Sequence, residues 1–124
     1  MKHRSIKNID ILKPHERSAA FLLREKGFDI EVLIPSNTPR NKNADFLING
    51  RIWELKSPQK NRRETIERCF KKASKQSENL LIDLHGLPKT DETTLKIIES
   101  RFRYSRSIKR LIVLTKDGEL LRYE

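Results

Sequence analysis

Apolar residues recur at helical spacing in three segments of this 124-residue chain and in shorter, strand-like runs between them. The predicted helices cover residues 14–26, 62–77 and 91–104. The predicted strands cover residues 28–34, 80–84, 108–114 and 119–123, and a β-hairpin covers residues 44–56. The resulting order, α-β-β-β-α-β-α-β-β, predicts an α/β fold with a mixed β-sheet flanked by helices.

Turn-forming and capping residues mark the ends of several of these predicted elements. Pro14 suits a first helical turn, and Gly27 suits the position just after a helix end. Asp117-Gly118 predicts a second type I′ turn, and Thr90 or Asp91 is expected to cap the third helix. No repeat or low-complexity linker interrupts the chain, which therefore reads as a single domain over residues 1–124, with residues 1–12 as an irregular basic arm.

The strongest local signal is Asn49-Gly50 between two apolar-rich runs, which predicts a two-residue type I′ turn. Such a turn fixes which residues face one another across the hairpin. The predicted pairs are Ile48 with Arg51, Leu47 with Ile52, Phe46 with Trp53 and Asp45 with Glu54. Because side chains alternate along a strand, Phe46, Trp53 and Leu55 are expected in the core, and Asp45, Glu54 and Lys56 on the opposite face.

Two carboxylates opposite each other on a sheet repel, so Asp45 and Glu54 need a compensating charge. A divalent cation is the obvious candidate, since Mg²⁺ and Mn²⁺ prefer oxygen ligands. Such an ion polarises a phosphoryl oxygen and activates water, and Lys56 would orient that water or stabilise the developing charge. The alternative is a solvated salt bridge, because Glu-x-Lys on one strand face is common.

Other polar residues give weaker signals. Glu16, in the first turn of helix one, is either a further metal ligand or a carboxylate that complements the helix dipole. Gln76, at the end of the basic helix, is either a polar site residue or a solvated glutamine. Asp83 is a carboxylate with no assigned role, and Cys69 is expected to be a small core residue. The three histidines are too scattered to suggest a triad.

The net charge of the chain limits the kinds of partner that it can bind. The chain carries 27 Lys and Arg against 17 Asp and Glu, a formal net charge of +10. An excess of that size in a small domain points to a polyanionic partner, with nucleic acid before an anionic membrane. No apolar run is long enough to span a bilayer, and the N-terminus lacks the apolar segment of a secretory signal. One cysteine excludes an internal disulfide and favours a cytoplasmic protein.

The cations form two clusters. The first cluster follows the hairpin and runs along the second predicted helix. There it would hold the phosphates of a nucleic acid on either side of the bond that is cut. The alternative is a solvated helix face, since runs of charge often have no other role. The first cluster consists of Lys60, Arg62, Arg63, Arg68, Lys71, Lys72 and Lys75. The second consists of Arg101, Arg103, Arg106, Lys109 and Arg110, with Tyr104 among them.

Several motifs together resemble a known family. They are His15-Glu16, residues 27–32, residues 43–50, residues 53–58, and Lys75-Gln76 before residues 80–83. Their order and spacing resemble the PD-(D/E)XK nucleases and, more narrowly, the C-terminal tRNase toxin domains of contact-dependent growth-inhibition (CdiA-type) proteins, over about residues 14–118. Ala44 stands where the superfamily motif has proline. The chain also starts at Met1 without the long delivery protein of such toxins, which suggests a free-standing relative, an excised segment or a mobile-element protein.

The resemblance implies a restriction-endonuclease-like fold and a metal-dependent endonuclease that hydrolyses phosphodiester bonds, most readily in tRNA. It assigns Asp45 and Glu54 as metal ligands, Lys56 as the catalytic lysine and Glu16 as the helix carboxylate. It also implies an immunity protein as a partner, and delivery from another cell before action in the cytoplasm. The sequence leaves open Mg²⁺, Mn²⁺ or Zn²⁺, RNA or DNA, and the oligomeric state.

Two other classes of function compete with this one. The first is a non-catalytic nucleic-acid-binding module of the same fold, against which the intact Asp45, Glu54 and Lys56 set argues. The second is a basic ribosome- or partner-associated interaction protein, which only the charge supports. Cleavage that depends on a divalent cation separates the nuclease from both.

Overall fold

The computed structural model describes Ile6 and residues 8–33, 45–88 and 92–124, except for the side chain of Asp45. Within these residues three α-helices form, α1 (Pro14–Glu25), α2 (Arg63–Ala73) and α3 (Glu92–Tyr104). The strands are β1 (Ile30–Leu33), β2 (Asp45–Ile48), β3 (Arg51–Lys56), β4 (Asn79–Asp83), β5 (Arg110–Leu114) and β6 (Leu120–Tyr123). The predicted order of elements is confirmed. The predicted caps of α3, Thr90 and Asp91, lie outside the described residues.

The six strands are hydrogen-bonded in the order β1 to β6, antiparallel except for the parallel pairs β3–β4 and β4–β5. This arrangement confirms the predicted α/β fold with a mixed sheet. The backbone also divides into two compact units, residues 1–53 and 54–124, with the boundary inside β3. Whether residues 1–124 act as one domain stays a prediction.

In the first unit, α1 ends where the sequence predicts. The N–H of Gly27 donates to the carbonyl of Arg24 (3.0 Å), and the N–H of Phe28 donates to the carbonyl of Leu23 (3.1 Å). These two bonds form a Schellman motif, which needs a left-handed residue just after the helix. Gly27 takes that conformation, with a φ of 95°, because it has no Cβ to clash.

The β2–β3 hairpin has the predicted turn and register. Asn49 and Gly50 both have positive φ, 48° and 84°, as a type I′ turn requires. The Asn49 side chain also accepts a hydrogen bond from the N–H of Asp29 (2.9 Å), which ties the turn to the start of β1. The pairs Phe46–Trp53, Leu47–Ile52 and Ile48–Arg51 are all confirmed. The predicted core residues Phe46, Trp53 and Leu55 are all buried.

In the second unit, α2 and α3 cover one face of β4 and β5. Leu80 and Ile82 of β4 share an apolar cluster with Ile66 and Phe70 of α2 and Ile98 of α3. The predicted buried stripe of α2, which adds Cys69 and Ala73 to Ile66 and Phe70, is confirmed. The parallel pairs β3–β4 and β4–β5 are each connected through one of these helices, which places both helices in β-α-β crossovers.

The second hairpin differs from its prediction. β5 and β6 pair from Leu114–Leu120 outward, and the N–H of Thr115 donates to the carbonyl of Glu119 (2.9 Å). The loop is therefore the three residues 116–118. Gly118 has a φ of 86° but Asp117 does not have a positive φ. The predicted type I′ turn is wrong, because a three-residue loop needs only its last residue to be left-handed.

Part of the predicted N-terminal arm packs against the rest of the first unit. Residues Ile9–Ile11 form one turn of 3₁₀ helix, and Ile6 and Leu12 are buried. The side chain of Asn8 donates to the carbonyl of Val32 in β1 (3.0 Å). Residues 1–5 and Lys7 lie outside the described part of the chain.

Candidate active site

Glu54 and Lys56 project from β3 toward the face that α2 covers. In the parallel β3–β4 pair, Glu54 lies beside Leu80, and Lys56 lies beside Ile82. Neighbouring residues on adjacent strands point to the same face, and Leu80 and Ile82 pack under α2. The two charged side chains therefore share a sheet face with the basic helix.

These two residues form a buried ion pair. Lys56 Nζ lies 3.2 Å from Glu54 Oε1, and their side chains are only 12% and 2% exposed. Burial of a carboxylate is unfavourable unless a counter-charge lies close to it, and Lys56 supplies one. Ile52, on the same strand face, is by contrast 49% exposed. The strand thus exposes an apolar residue and buries a charged pair, which is unlike the solvated salt bridge expected as the alternative.

Asp45, the other predicted metal ligand, begins β2. Its backbone pairs with Leu33 of the neighbouring strand β1. Its side chain lies outside the described part of the structure, so its predicted position opposite Glu54 stays a prediction.

Glu16, the predicted helix carboxylate, is buried at the start of α1. Its Oε1 accepts a hydrogen bond from the backbone N–H of Lys13, at 2.8 Å. This contact satisfies one of the N–H groups that lie ahead of the first helical turn, as the third-position glutamate of a capping box does. The structure therefore gives Glu16 a capping contact, and its predicted role as a metal ligand stays a prediction.

The remaining polar candidates lie in turns. Gln76 is exposed in the turn that follows α2, and its predicted site role stays a prediction. Asp83 is buried, and its Oδ1 accepts a hydrogen bond from the N–H of His85, at 3.0 Å. That bond closes a local turn after β4, which gives this carboxylate the structural role that the sequence did not reveal. His85 itself is exposed.

Cys69, on α2, lies near both Lys56 of the ion pair and cations of the α2 face. Burial raises the pKa of its thiol, and the charges of Lys56, Lys72 and Arg68 oppose that rise. Lys56 on β3 and two cations of the α2 face therefore lie close enough to act electrostatically on one thiol. Cys69 is buried in the helix stripe, as predicted for a core residue.

Two grooves follow α2. The α2–α3 groove, of about 670 Å³, is lined by Arg68, Lys71, Lys72, Lys75 and Arg101, together with Glu64 and Glu67. The loop–α2 groove, of about 460 Å³, is lined by Gln59, Lys60, Arg62 and Thr65, and by the shared Glu64 and Arg68. Because they share two residues, the grooves adjoin along the helix.

The predicted nucleic-acid contacts are well placed for a polyanion. All seven of the predicted cations are exposed. Six of them line one groove or the other, and Arg63 lines neither. The sequence did not reveal that Arg101, from the second predicted cluster, joins the first cluster in one groove. Only the packing of α3 beside α2 brings these residues together.

Arg101 is held by an aromatic ring. Its guanidinium lies 5.4 Å from the centre of the Phe70 ring, in a cation–π arrangement with a fully buried partner. This contact fixes the α3 wall of the groove. The sequence could not have predicted this contact, because Phe70 and Arg101 lie on different helices and no short pattern relates them.

Among the side chains that the structure describes, no three His, Cys, Asp or Glu residues form a group that could hold a metal ion. Glu54 supplies one buried carboxylate of the kind that hard cations prefer. The second predicted carboxylate, Asp45, is the one whose side chain is not described. Among the described side chains, the site therefore offers one oxygen ligand, Glu54, of the kind that Mg²⁺ and Mn²⁺ prefer.

Comparison with known proteins identifies the family. The sequence profile of the contact-dependent growth inhibition CdiA C-terminal domain matches residues 42–120, well over half of the chain. The chain belongs to this family. The matched segment begins just before β2 and includes β3, both grooves and the second unit up to β6. Domains of this family are generally nuclease toxins.

A solved structure has the same fold. The chain resembles a protein described as "CdiA-CT/CdiI toxin and immunity complex from Burkholderia pseudomallei", with a TM-score of 0.67 at 20% sequence identity. The similarity covers 99% of this chain and 96% of that one. A search of curated proteins finds no match. In the described residues of this CdiA C-terminal domain, no helix combines the length and apolar composition that crossing a bilayer requires.

Proposed function

We propose that this CdiA C-terminal domain is a metal-dependent nuclease of the PD-(D/E)XK type, which hydrolyses phosphodiester bonds of nucleic acid, with tRNA as its favoured substrate. The observation that carries the proposal is the buried pair of Glu54 and Lys56, 3.2 Å apart on the sheet face under a basic helix. Membership of a toxin family whose domains are generally nucleases supports it.

Asp45 and Glu54 are proposed to hold Mg²⁺ or Mn²⁺. A cation held there supplies Lewis-acid chemistry, since it polarises a phosphoryl oxygen and makes water a better nucleophile. Glu54 is suited to this task because it is an oxygen donor held by a strand inside the protein, where β3 fixes its position. The resemblance adds Glu16, through an oxygen other than the one that caps α1.

Lys56 is proposed to act on the scissile phosphate. As a compact ammonium beside Glu54, it would hold that carboxylate in place and donate hydrogen bonds to phosphate oxygens as negative charge builds up on them. Its 12% exposure leaves little room for water around the ammonium, which strengthens such interactions.

The grooves along α2 are proposed to bind the phosphates on either side of the scissile bond. Their cations would neutralise several phosphates, so that affinity falls steeply with salt. The preference for tRNA over other RNA or DNA rests on the resemblance to tRNase toxins, and DNA is the alternative. An immunity protein, which the similar structure's title names as its toxin's partner, is the proposed second partner. The proposed place of action is the cytoplasm of a recipient cell.

The test is a cleavage assay with purified protein. Total tRNA, other RNA and plasmid DNA are each incubated with Mg²⁺, with Mn²⁺ and with EDTA. We expect cleavage of tRNA in the presence of a divalent cation and none in EDTA. Asp45→Asn and Lys56→Met should each lower the rate about 100-fold or more, since each removes a group that acts at the reacting phosphate.

Lys96→Met is the matched control. Lys96 is an exposed α3 lysine that pairs with Glu92 at 3.8 Å and lines neither groove. The Lys96→Met variant should cleave RNA at the wild-type rate. If Asp45→Asn and Lys56→Met also cleave at that rate, the site is misassigned. If the wild-type protein binds RNA but cleaves nothing under any condition, the domain is a non-catalytic binding module.

A further inference from the structure

We propose that Tyr104, at the end of α3, is a stacking platform for an unpaired base of the bound nucleic acid. The inference rests on the proposed function, and it adds a preference for single-stranded or looped substrate. Nothing in the predicted catalytic set requires such a preference.

Tyr104 is exposed to an unusual degree for an aromatic residue. It is 79% exposed, whereas Phe46, Phe70 and Trp53 are at most 4% exposed. The other exposed aromatic residue among those the structure describes, Phe21, is 39% exposed and packs against Arg24 at 4.9 Å. Most of Tyr104 is therefore open to solvent, as a base-stacking residue requires.

Tyr104 lies beside the α2–α3 groove. It follows Arg101 by three residues, so the two lie on one side of α3, about 4.5 Å apart along the helix axis. Arg101 lines the groove and is held there over the Phe70 ring. A strand of nucleic acid whose phosphate meets Arg101 would therefore carry its base close to Tyr104.

The surroundings of Tyr104 are cationic. Arg103, Arg106 and Lys109 are exposed around the end of α3. Cations beside an exposed aromatic ring are the usual surface of a protein that binds single strands, where phosphates meet the charges and bases stack on the ring. A duplex offers its phosphates but keeps its bases covered, so it would meet the cations without using Tyr104.

The test measures binding in EDTA by the wild-type protein and by Tyr104 variants. The probes are a fluorescein-labelled single-stranded RNA 12-mer, the same sequence as single-stranded DNA, and the matching RNA duplex. For single strands, Tyr104→Ala should bind about 10-fold more weakly, in the range measured for loss of one base–aromatic stack, and Tyr104→Phe should bind within 2-fold of wild type. The duplex should bind all three proteins equally. Phe21→Ala is the matched control and should bind every probe like wild type.

Two further readouts separate stacking from charge. Tyr104→Trp should bind like wild type and lose indole fluorescence when a single strand binds, against the constant background of the buried Trp53. Arg101→Ala should reduce the slope of log affinity against log salt by about one, and Tyr104→Ala should leave that slope unchanged. A loss restricted to RNA would assign the platform to RNA, and a loss on both single strands would assign it to any unpaired base.

The failures are distinguishable. If wild-type protein binds no nucleic acid, the proposed function fails and the stacking platform fails with it. If wild-type protein binds with the expected salt dependence but Tyr104→Ala binds single strands equally well, only the stacking platform is overturned. The same holds if Tyr104→Ala weakens binding of duplex and single strand alike.

Discussion

Two buried glutamates, Glu16 in α1 and Glu54 in β3, show how differently the same residue type is accommodated in one protein. Both are almost completely buried, at 5% and 2% exposure. Glu16 accepts a hydrogen bond from a backbone N–H at the start of its helix, whereas Glu54 pairs with the ammonium of Lys56. Burial alone therefore does not identify a functional carboxylate.

The partner of each carboxylate shows whether its burial has a purely structural explanation. Backbone N–H groups at the start of every helix lack a partner within the helix. Glu16 caps one such group, so its contact has a complete structural explanation. An ion pair buried inside a sheet has none, because apolar residues of similar volume would serve stability equally well or better. The pair is retained at a cost in desolvation, and catalysis is the explanation that we propose.

The largest expected effect is on activity and sets the two glutamates apart. Glu54→Gln should lower kcat/KM for RNA cleavage by about 100-fold or more, because an amide is a much poorer ligand for a divalent cation. Glu16→Gln should lower it less, by about 10-fold, if Glu16 supports the site from α1. Initial rates with Mg²⁺ measure both. An unchanged rate in Glu16→Gln would make that residue a cap only, and an unchanged rate in Glu54→Gln would remove it from the site.

The second effect is on stability and concerns the ion pair. Lys56→Met leaves the Glu54 carboxylate without that counter-charge, which should lower the free energy of unfolding by about 3 kcal/mol. The double variant Glu54→Gln/Lys56→Met removes both charges and should recover most of the loss, while remaining inactive. Urea denaturation with matched m-values measures each step. A double variant no more stable than Lys56→Met would show that the two residues are not coupled.

The third effect concerns the cap. Glu16→Ala removes the acceptor for the Lys13 N–H and should cost about 1 kcal/mol of stability. Glu16→Gln keeps a carbonyl oxygen at that position and should cost less than half as much. Thermal unfolding of the two variants side by side makes the comparison. Equal losses would mean that the charge of Glu16, and not its hydrogen bond, stabilises the helix.

The smallest effect involves a third partnered carboxylate, Glu99. Burial is the largest cause of a rise in the pKa of Tyr123. Together with the charge of Glu99 and the hydrogen bond that this carboxylate accepts from the phenol at 2.8 Å, it raises that pKa to about 12. Since the folded pKa lies above the unfolded value of 10.0, this stabilisation is present below pH 10 and is lost as the pH rises through 12.

Tyr123→Phe removes both the hydrogen bond and the titration. At neutral pH it should cost at most about 1 kcal/mol, because the site is partly open to solvent. The difference in stability between wild type and Tyr123→Phe should shrink as the pH rises above 10. Urea titrations at pH 8 and pH 11 measure it, and a difference that does not change with pH would contradict the assigned pKa.

Much of the fold was predictable because its signals are local. Asn49-Gly50 fixed the first hairpin and its register, since few residues other than Asn and Gly tolerate two successive positive φ angles. Asp117-Gly118 looked like the same signal and was not, because Thr115 pairs with Glu119 and lengthens the loop by one residue. Turn type depends on where pairing stops, which a dipeptide does not specify.

The candidate site was predictable in part for the same reason. The alternation of β3 placed Glu54 and Lys56 on one face, and their ion pair is what that alternation allows. Their burial was not predictable, because Ile52 on the same face is exposed. Nor did the sequence separate the capping contact of Glu16 from a role as a metal ligand, since a carboxylate in a first helical turn suits both.

By itself, the sequence determined the order of the elements, the hairpin register, the end of α1 and the basic character of α2. Each depends on backbone preferences or side-chain periods within a few residues. Only the tertiary structure decided that α2 and α3 cover the face bearing Glu54 and Lys56, and that Arg101 completes the α2–α3 groove. Those contacts join residues on different elements, and they follow from how whole apolar faces pack and not from any short pattern.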